Sequence, residues 1–398
     1  RSGGYGIYYH FDYVGGPRNY KWLNTGQVVK TWLQMDLAYK RGAKQIWVVN
    51  VGDIKPVEYP IDFFLKMAWD PEAMTPAALA AYPKAWATAN FGAERADEIA
   101  GLITDYSRLA ARRKPELVDP TTFALGEVTP DTLDGGDWGR AVAEWDALVK
   151  RVETTRDRLS PDQRTAFYQF IEHPTFAIAN LYHVYYDTAW NRRLAAAGDP
   201  RANVFADRVE AGFARDKELT GIYHRLAGGK WDGMMLQTKF GYTSWQQPDQ
   251  DVMPAVTRVP GTAGPVRFRD SVVPRGNWAA AEAVNFIRAG NAAGFTWTAV
   301  PHLGRTAGAV AALPQGRAST TQADGVRLEY DLTLPEAGDA TARLYMVPAI
   351  DTRAAGGIKV GVSVDDGPVQ VLTMDLQVDK PNWTGAVKDN AFPLEAKL

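Results

Sequence analysis

Residues Tyr5 to Asp53 hold the densest run of side chains suited to binding a ligand. The segment YGIYYHFDYVGGPRNYKWLN carries a first apolar run into Tyr8, His10 and Asp12, and QIWVVNVGD carries a second into Asn50 and Asp53. Alternate residues of a strand share a face, so Tyr8, His10 and Asp12 are expected to point together into one pocket. A hydrogen-bonded His10–Asp12 pair that merely holds a loop is an equal alternative, because buried polar groups need partners in any case. A metal site built on His10 and Asp12 has little support: the chain has five His, and none falls in an HExxH pattern. There is no GxSxG nucleophile elbow, and VGGPRN lacks the spacing of a phosphate-binding glycine loop. Arg18 and Asn19 in that loop suit an anionic substrate, since guanidinium and carboxylate form a bidentate pair. A solvent-exposed arginine is the ordinary alternative.

These residues matter because of the elements that must position them. In a parallel α/β sheet or barrel, ligands bind at the carboxyl ends of the strands, where loops vary above a rigid scaffold. The expected order is a strand over Tyr5–Tyr9, then a helix over Gln27–Lys40 with Thr25 as N-cap and Gly42 as its stop, then a strand over Gln45–Val51. The almost continuous apolar run of that second strand predicts burial on both faces. Two long helices follow, Pro76–Asn90 with Pro83 as a kink and Ala93–Arg112, ending in RRKPEL. Residues 1–118 therefore read as α/β.

Residues 119–257 read as a bundle of about four or five helices, with a capping box at Ser160, Pro161 and Gln163 and a break at Gly198 and Pro200. The aromatic run Phe167 to Tyr186 is expected to be bundle core, and His173 and His183 to be satisfied structural histidines. KWDGMMLQTKFGYTSWQQP, Lys230 to Pro248, reads as a long loop. Tyr242 and Trp245 there are expected either to reach another domain's site or to dock domains. Residues 258–398 alternate in short runs broken by Gly, Pro and Asp, including VRLEYDLTL and IKVGVSVDD, which is a β-sandwich texture.

Composition sets the outer limits. The 398 residues, 46% of them hydrophobic, suffice for two or three cored domains. A net charge of −2 with no basic run gives no footprint for nucleic acid. No apolar stretch is long enough to span a bilayer. With 0 Cys, disulfides, thiolate metal sites and cysteine nucleophiles are excluded. The 13 Trp and 17 Tyr tilt toward a carbohydrate ligand, although most such rings belong to cores.

In GIYYHFDYVGGPRNYKW (Gly6 to Trp22), IWVVNVGDIKP (Ile46 to Pro56), RRKPEL, GYTSWQQP (Gly241 to Pro248) and the pieces at Trp297 to Gly304 and Val360 to Asp366, the chain resembles glycoside hydrolase family 115. These are α-glucuronidases that remove glucuronic acid side chains from xylan. The resemblance implies a multidomain α/β plus all-α plus all-β protein: the C-terminal part of a TIM (α/β)8 barrel, a helical bundle and a C-terminal β-sandwich. It implies inverting hydrolysis of α-1,2-linked (4-O-methyl)-D-glucuronic acid from glucuronoxylan or a glucuronic-acid-decorated oligosaccharide, without metal or organic cofactor. Inversion needs an acid and a base about 6.5–9.5 Å apart. The family's acidic residues are expected upstream of Arg1, so the catalytic pair is unassigned here, with Asp12 and Asp53 as secondary candidates.

Tyr8, Tyr13 and Asn50 are carried over as contacts to the uronic acid. His10, Asp12, Arg18 and Asp53 are added from their place at the strand ends. At Lys239 the resemblance leads one to expect His. A chain that begins partway through a barrel is expected to expose apolar edges and to be unstable alone. The substrate class implies a secreted or periplasmic bacterial protein. The β-sandwich is expected either to bind polysaccharide or to mediate a homodimer. Two other readings stand beside this one: a non-catalytic carbohydrate-binding or structural remnant, and a metal-dependent barrel hydrolase built on His10 and Asp12.

Overall fold

The computed structural model describes residues 3–269, 276–292, 294–365, 367–378 and 380–398. Arg1 and Asp366, named above, lie outside them. Strand β1 (Tyr5–His10) and strand β2 (Ala43–Asn50) pair in parallel, with Tyr8 opposite Val48 and His10 opposite Asn50. Helix α1 (Val28–Lys40) makes the crossover and ends at Gly42, whose φ of +95° suits glycine alone. Its N-cap is Gln27 rather than Thr25. The Thr25 hydroxyl instead accepts from the Lys114 ammonium at 2.6 Å, a distant partner that sequence-local capping rules do not see.

Helix α2 (Glu58–Trp69) is an addition to the expected elements, and it holds Pro60 in its first turn, where proline is tolerated. Tyr59, Phe63 and Met67 recur every four residues and bury its inner face. Helices α3 (Pro76–Phe91) and α4 (Ala96–Arg112) follow, α3 capped by Thr75, whose hydroxyl accepts from the Ala78 amide. They pack on α5 (Gly136–Arg156), α6 (Pro161–Phe167), a π-type turn over Tyr168–Glu172, α7 (His173–Ala196) and α8 (Ala202–Gly229), which leaves helical geometry at Leu226. Ser160 and Gln163 form the expected capping box. One core joins these helices to the first unit, from Trp22 to Leu303, and a smaller one gathers Met374, Leu376, Ala386 and Leu394.

The remaining strands pair two by two. Strand β3 (Leu133–Asp134) lies parallel to β4 (Phe268–Arg269). Antiparallel pairs join β5 (Arg288–Gly290) to β8 (Arg327–Glu329), β6 (Thr296–Pro301) to β7 (Gly308–Leu313), β9 (Thr341–Met346) to β12 (Phe392–Lys397), and β10 (Ile358–Val362) to β11 (Gln370–Met374). Helix α9 (Pro381–Asp389) precedes β12. The chain thus mixes helix and strand, and no closed barrel is formed among the described residues.

The expected burial of β2 on both faces does not hold. Ile7, Tyr9, Trp47 and Val49 pack on the core, whereas Ile46 is 63% exposed and Val48 and Tyr8 are also exposed. An apolar run without alternation looks the same whether one face or both are covered, and no described element covers this one.

Candidate functional site

The bare face of the β1–β2 pair leads to the predicted residues. Tyr8 and His10 project on the same side as Ile46 and Val48, because even-numbered positions share it and register sets His10 opposite Asn50. The Tyr8 and His10 rings lie 4.5 Å apart and the His10 and Tyr13 rings 6.1 Å apart. His10 Nδ1 sits between the Asn50 side-chain nitrogen at 3.4 Å and the Asp12 carbonyl at 3.3 Å. The Asn50 carbonyl oxygen accepts from the Gly52 amide at 3.0 Å, so Asn50 is fixed from one side and steadies the imidazole from the other. His10 is exposed, and its Nε2 has no partner among the described residues.

His10 and Asp12 are therefore neighbours but not an imidazole–carboxylate pair: the contact is to the Asp12 backbone. The Asp12 side chain packs against Gly52, where a Cβ would come within 2.9 Å of its Cγ, and its Oδ1 is buried without a partner. Burial raises its pKa, opposed by the charges of Lys21 and His10. Asp53 is exposed.

The loop from Val14 to Asn19 is closed by paired backbone bonds between Tyr13 and Tyr20, at 3.1 and 2.8 Å. Asn19 is fully buried and does not face a ligand. Its side chain donates to Gln247 and accepts from the Tyr242 hydroxyl at 2.8 Å, while its amide donates to the Trp245 carbonyl at 2.7 Å. Tyr242 and Trp245 thus dock the long loop onto the glycine-bearing loop, and the side chain of Asn19 is taken up in that contact. Arg18 remains: its guanidinium stacks 5.5 Å from the Tyr242 ring centre, bonds only to the Pro17 carbonyl, and has no carboxylate partner among the described residues.

Two supporting groups escaped sequence reasoning. Glu116, inside RRKPEL, is buried near the half-buried Lys114; burial raises its carboxyl pKa while the Lys114 ammonium opposes the rise. Lys114 also sits 4.4 Å over the ring of Tyr20. Lys239, where His was expected, buries its ammonium between Asp216 at 2.9 Å and Asp251 at 3.3 Å. The second Asp251 oxygen accepts the Lys239 and Phe240 amides at 2.6 and 2.8 Å, which anchors the loop that reaches Asn19. The quoted phrases pointed at these places, but only folding pairs them.

His183 pairs with Asp146 at 2.7 Å, as a structural histidine would. His173 is not satisfied as expected: it is buried between Tyr168 and Tyr223 with Nδ1 unpartnered, and burial lowers its pKa to about 3. Among the described residues no group of three or more His, Asp or Glu is placed to hold a metal ion, and no helix is long and apolar enough to cross a membrane.

None of the curated proteins matches this chain. The solved structure of a family GH115 4-O-methyl-alpha-glucuronidase with specificity for decorated arabinogalactans superposes with a TM-score of 0.67 at 21% identity; the match covers 100% of this chain and 48% of that one. The chain therefore spans about half the length of that protein. The family model for Glycosyl hydrolase family 115 matches residues 1–117, and the model for the Glycosyl hydrolase family 115 C-terminal domain matches residues 273–398. With both ends matched in order and the whole length sharing the fold, the chain belongs to glycosyl hydrolase family 115.

Proposed function

We propose that this chain supplies the uronate-binding part of an α-glucuronidase that removes α-1,2-linked (4-O-methyl)-D-glucuronic acid from glucuronoxylan with inversion. The observation that carries the reading is the convergence of Tyr8, His10, Tyr13 and Asn50 at the carboxyl ends of β1 and β2, with an arginine in the following loop that has no carboxylate partner among the described residues. In this reading the bare face bearing Ile46 and Val48 lines the interior of an (α/β)8 barrel, where alternate strand residues point inward. Arg18 takes the substrate carboxylate, as guanidinium geometry favours. Tyr8 and Tyr13 offer hydroxyls and ring faces to the sugar. His10, held at Nδ1, offers Nε2 to a hydroxyl or to the leaving oxygen. The acid and base of inversion stand about 6.5–9.5 Å apart, and Asp12 and Asp53 are the carboxylates of this chain nearest that task. Secretion or periplasmic export follows from a polymeric substrate, and the 258–398 region serves as a β-sandwich that binds polysaccharide or pairs two copies.

Calorimetry with a glucuronic-acid-bearing xylo-oligosaccharide, beside an assay for released glucuronic acid on decorated xylan and on decorated arabinogalactan, tests this. Binding with release on xylan supports the full reading and directs mutation to Asp12 and Asp53. Binding without release leaves the uronate site and places the acid and base elsewhere. Absence of binding by folded chain would overturn it.

A further inference from the structure

The helical part carries a second opening that the strand-end residues do not touch. A cavity of about 590 Å³ lies among α5, α7, α8 and β4, with Asp146, His183, Tyr186, Asp187, Arg208 and Phe268 in its lining. No lining residue comes from β1, β2 or the 241–248 loop. Phe268 is 42% exposed, yet its ring rests on Tyr186 at 5.9 Å, Trp190 at 6.0 Å and Phe205 at 6.3 Å. An exposed ring braced by three buried ones is a platform whose orientation is set before a ligand arrives.

The polar groups beside this platform are unequally satisfied. His183 is bound to Asp146, and Arg269 is bound to Asp134 and Glu127 at 2.8 and 3.0 Å. Asp187 is different. Its side chain is nearly buried; the His183 imidazole and the Arg208 guanidinium are the charges that act on it, Arg208 as a loose ion pair at 3.9 Å, beyond hydrogen-bond reach, and no donor bonds its carboxylate among the described residues. Arg208 lies 5.1 Å over the Phe205 ring and likewise bonds to no acceptor there. A carboxylate and a guanidinium held only in a loose ion pair, with no hydrogen bond between them, thus line the same cavity as the fixed aromatic ring.

The surrounding charge selects the ligand class. A carboxylate or phosphate would meet Asp146 and Asp187; a cation would meet Arg208, Arg269 and the imidazole of His183. A neutral polyol meets neither penalty: adjacent hydroxyls donate to Asp187 and accept from Arg208, while the C–H face of a pyranose lies on Phe268. We propose that this cavity is an accessory site for a neutral pyranose unit of the polysaccharide main chain. Burial raises the Asp187 pKa to about 6, so the acceptor is fully charged only above that pH. The proposal shares with the uronate reading only the expectation of a polysaccharide, and the two are separable by experiment.

The test is calorimetric titration of the 398-residue chain with undecorated xylohexaose and galactotetraose, and separately with glucuronic acid. Binding of either neutral oligosaccharide, weakened about tenfold or more by Phe268→Ala, supports the site. Because Phe268 also braces the core, the rim variants Asp187→Asn and Arg208→Gln repeat the measurement, with circular dichroism confirming the fold. Failure of both neutral oligosaccharides to bind, or binding indifferent to all three cavity variants, overturns the proposal whatever glucuronic acid does. Loss of glucuronic acid binding alone bears only on the strand-end site.

Discussion

At the scale of single residues, the strand-end site is built from modest forces that happen to converge. Asn50 holds His10 through one side-chain contact and is itself held by the Gly52 amide, so the imidazole is aimed without being consumed by a carboxylate. Arg18 keeps its donors because its stacking partner is an aromatic ring rather than an acid. Arg18→Ala is expected to weaken glucuronic acid binding by about 1.5–3 kcal/mol, the usual worth of a hydrogen bond to a charged group, while leaving the melting temperature in place; calorimetry and thermal melts on one sample read both. His173 governs a different property. Its pKa falls from 6.5 to about 3 on folding, so the native state resists protonation, and stability that is whole above pH 6.5 is lost as pH drops toward 3. The loss is about 1.4 kcal/mol for each pH unit below the unfolded value. His173→Phe, which keeps an aromatic ring between Tyr168 and Tyr223, should flatten the melting temperature between pH 6.5 and 5. An unchanged pH profile would mean that other groups set the acid limit.

At the scale of elements, the long loop after α8 is ordered by its two ends. Lys239 pins the start to Asp216 of α8 and to Asp251, and Asn19 receives the middle through Tyr242, Trp245 and Gln247. Breaking a buried ion pair strands a charge, which is more damaging than the pair is stabilising. Lys239→Met is expected to destabilise by about 3–5 kcal/mol, and the double change with Asp216→Asn to recover part of that. Chemical denaturation of the two variants measures it, and equal losses would show that the ammonium is not the anchor. The capping box and the Gly42 stop were readable because they are local. Thr25 is not the cap, and Lys114, in another segment, claims its hydroxyl.

At the scale of the whole molecule, one core runs from the first unit through the helices, while one face of β1 and β2 carries Tyr8, Ile46 and Val48 uncovered. Exposed contiguous apolar surface marks an interaction site or an aggregation hazard. The 398-residue chain is therefore expected to bind a hydrophobic dye such as ANS in its folded state, and Ile46→Lys to reduce that signal with unchanged far-ultraviolet dichroism. Dye binding that ignores Ile46 would mean that this face is covered in solution.

By itself the sequence determined β1, α1, β2, α3, α4 and the capping box before α6, because helical spacing, caps and left-handed glycines act within a few residues; α2 escaped it. It also put Tyr8 and His10 on one strand face with Asn50 at the neighbouring strand end, since strand parity and the carboxyl-end rule require nothing from afar, whereas Tyr13 came only with the family resemblance. Only the tertiary structure decided which polar groups are occupied. Asn19 lies 228 residues from the glutamine that binds it, Lys239 draws its two carboxylates from separate segments, and Asp187 meets Arg208 only as a loose ion pair at 3.9 Å. Burial and pairing are properties of what meets in space, and spacing along the chain carries no record of them.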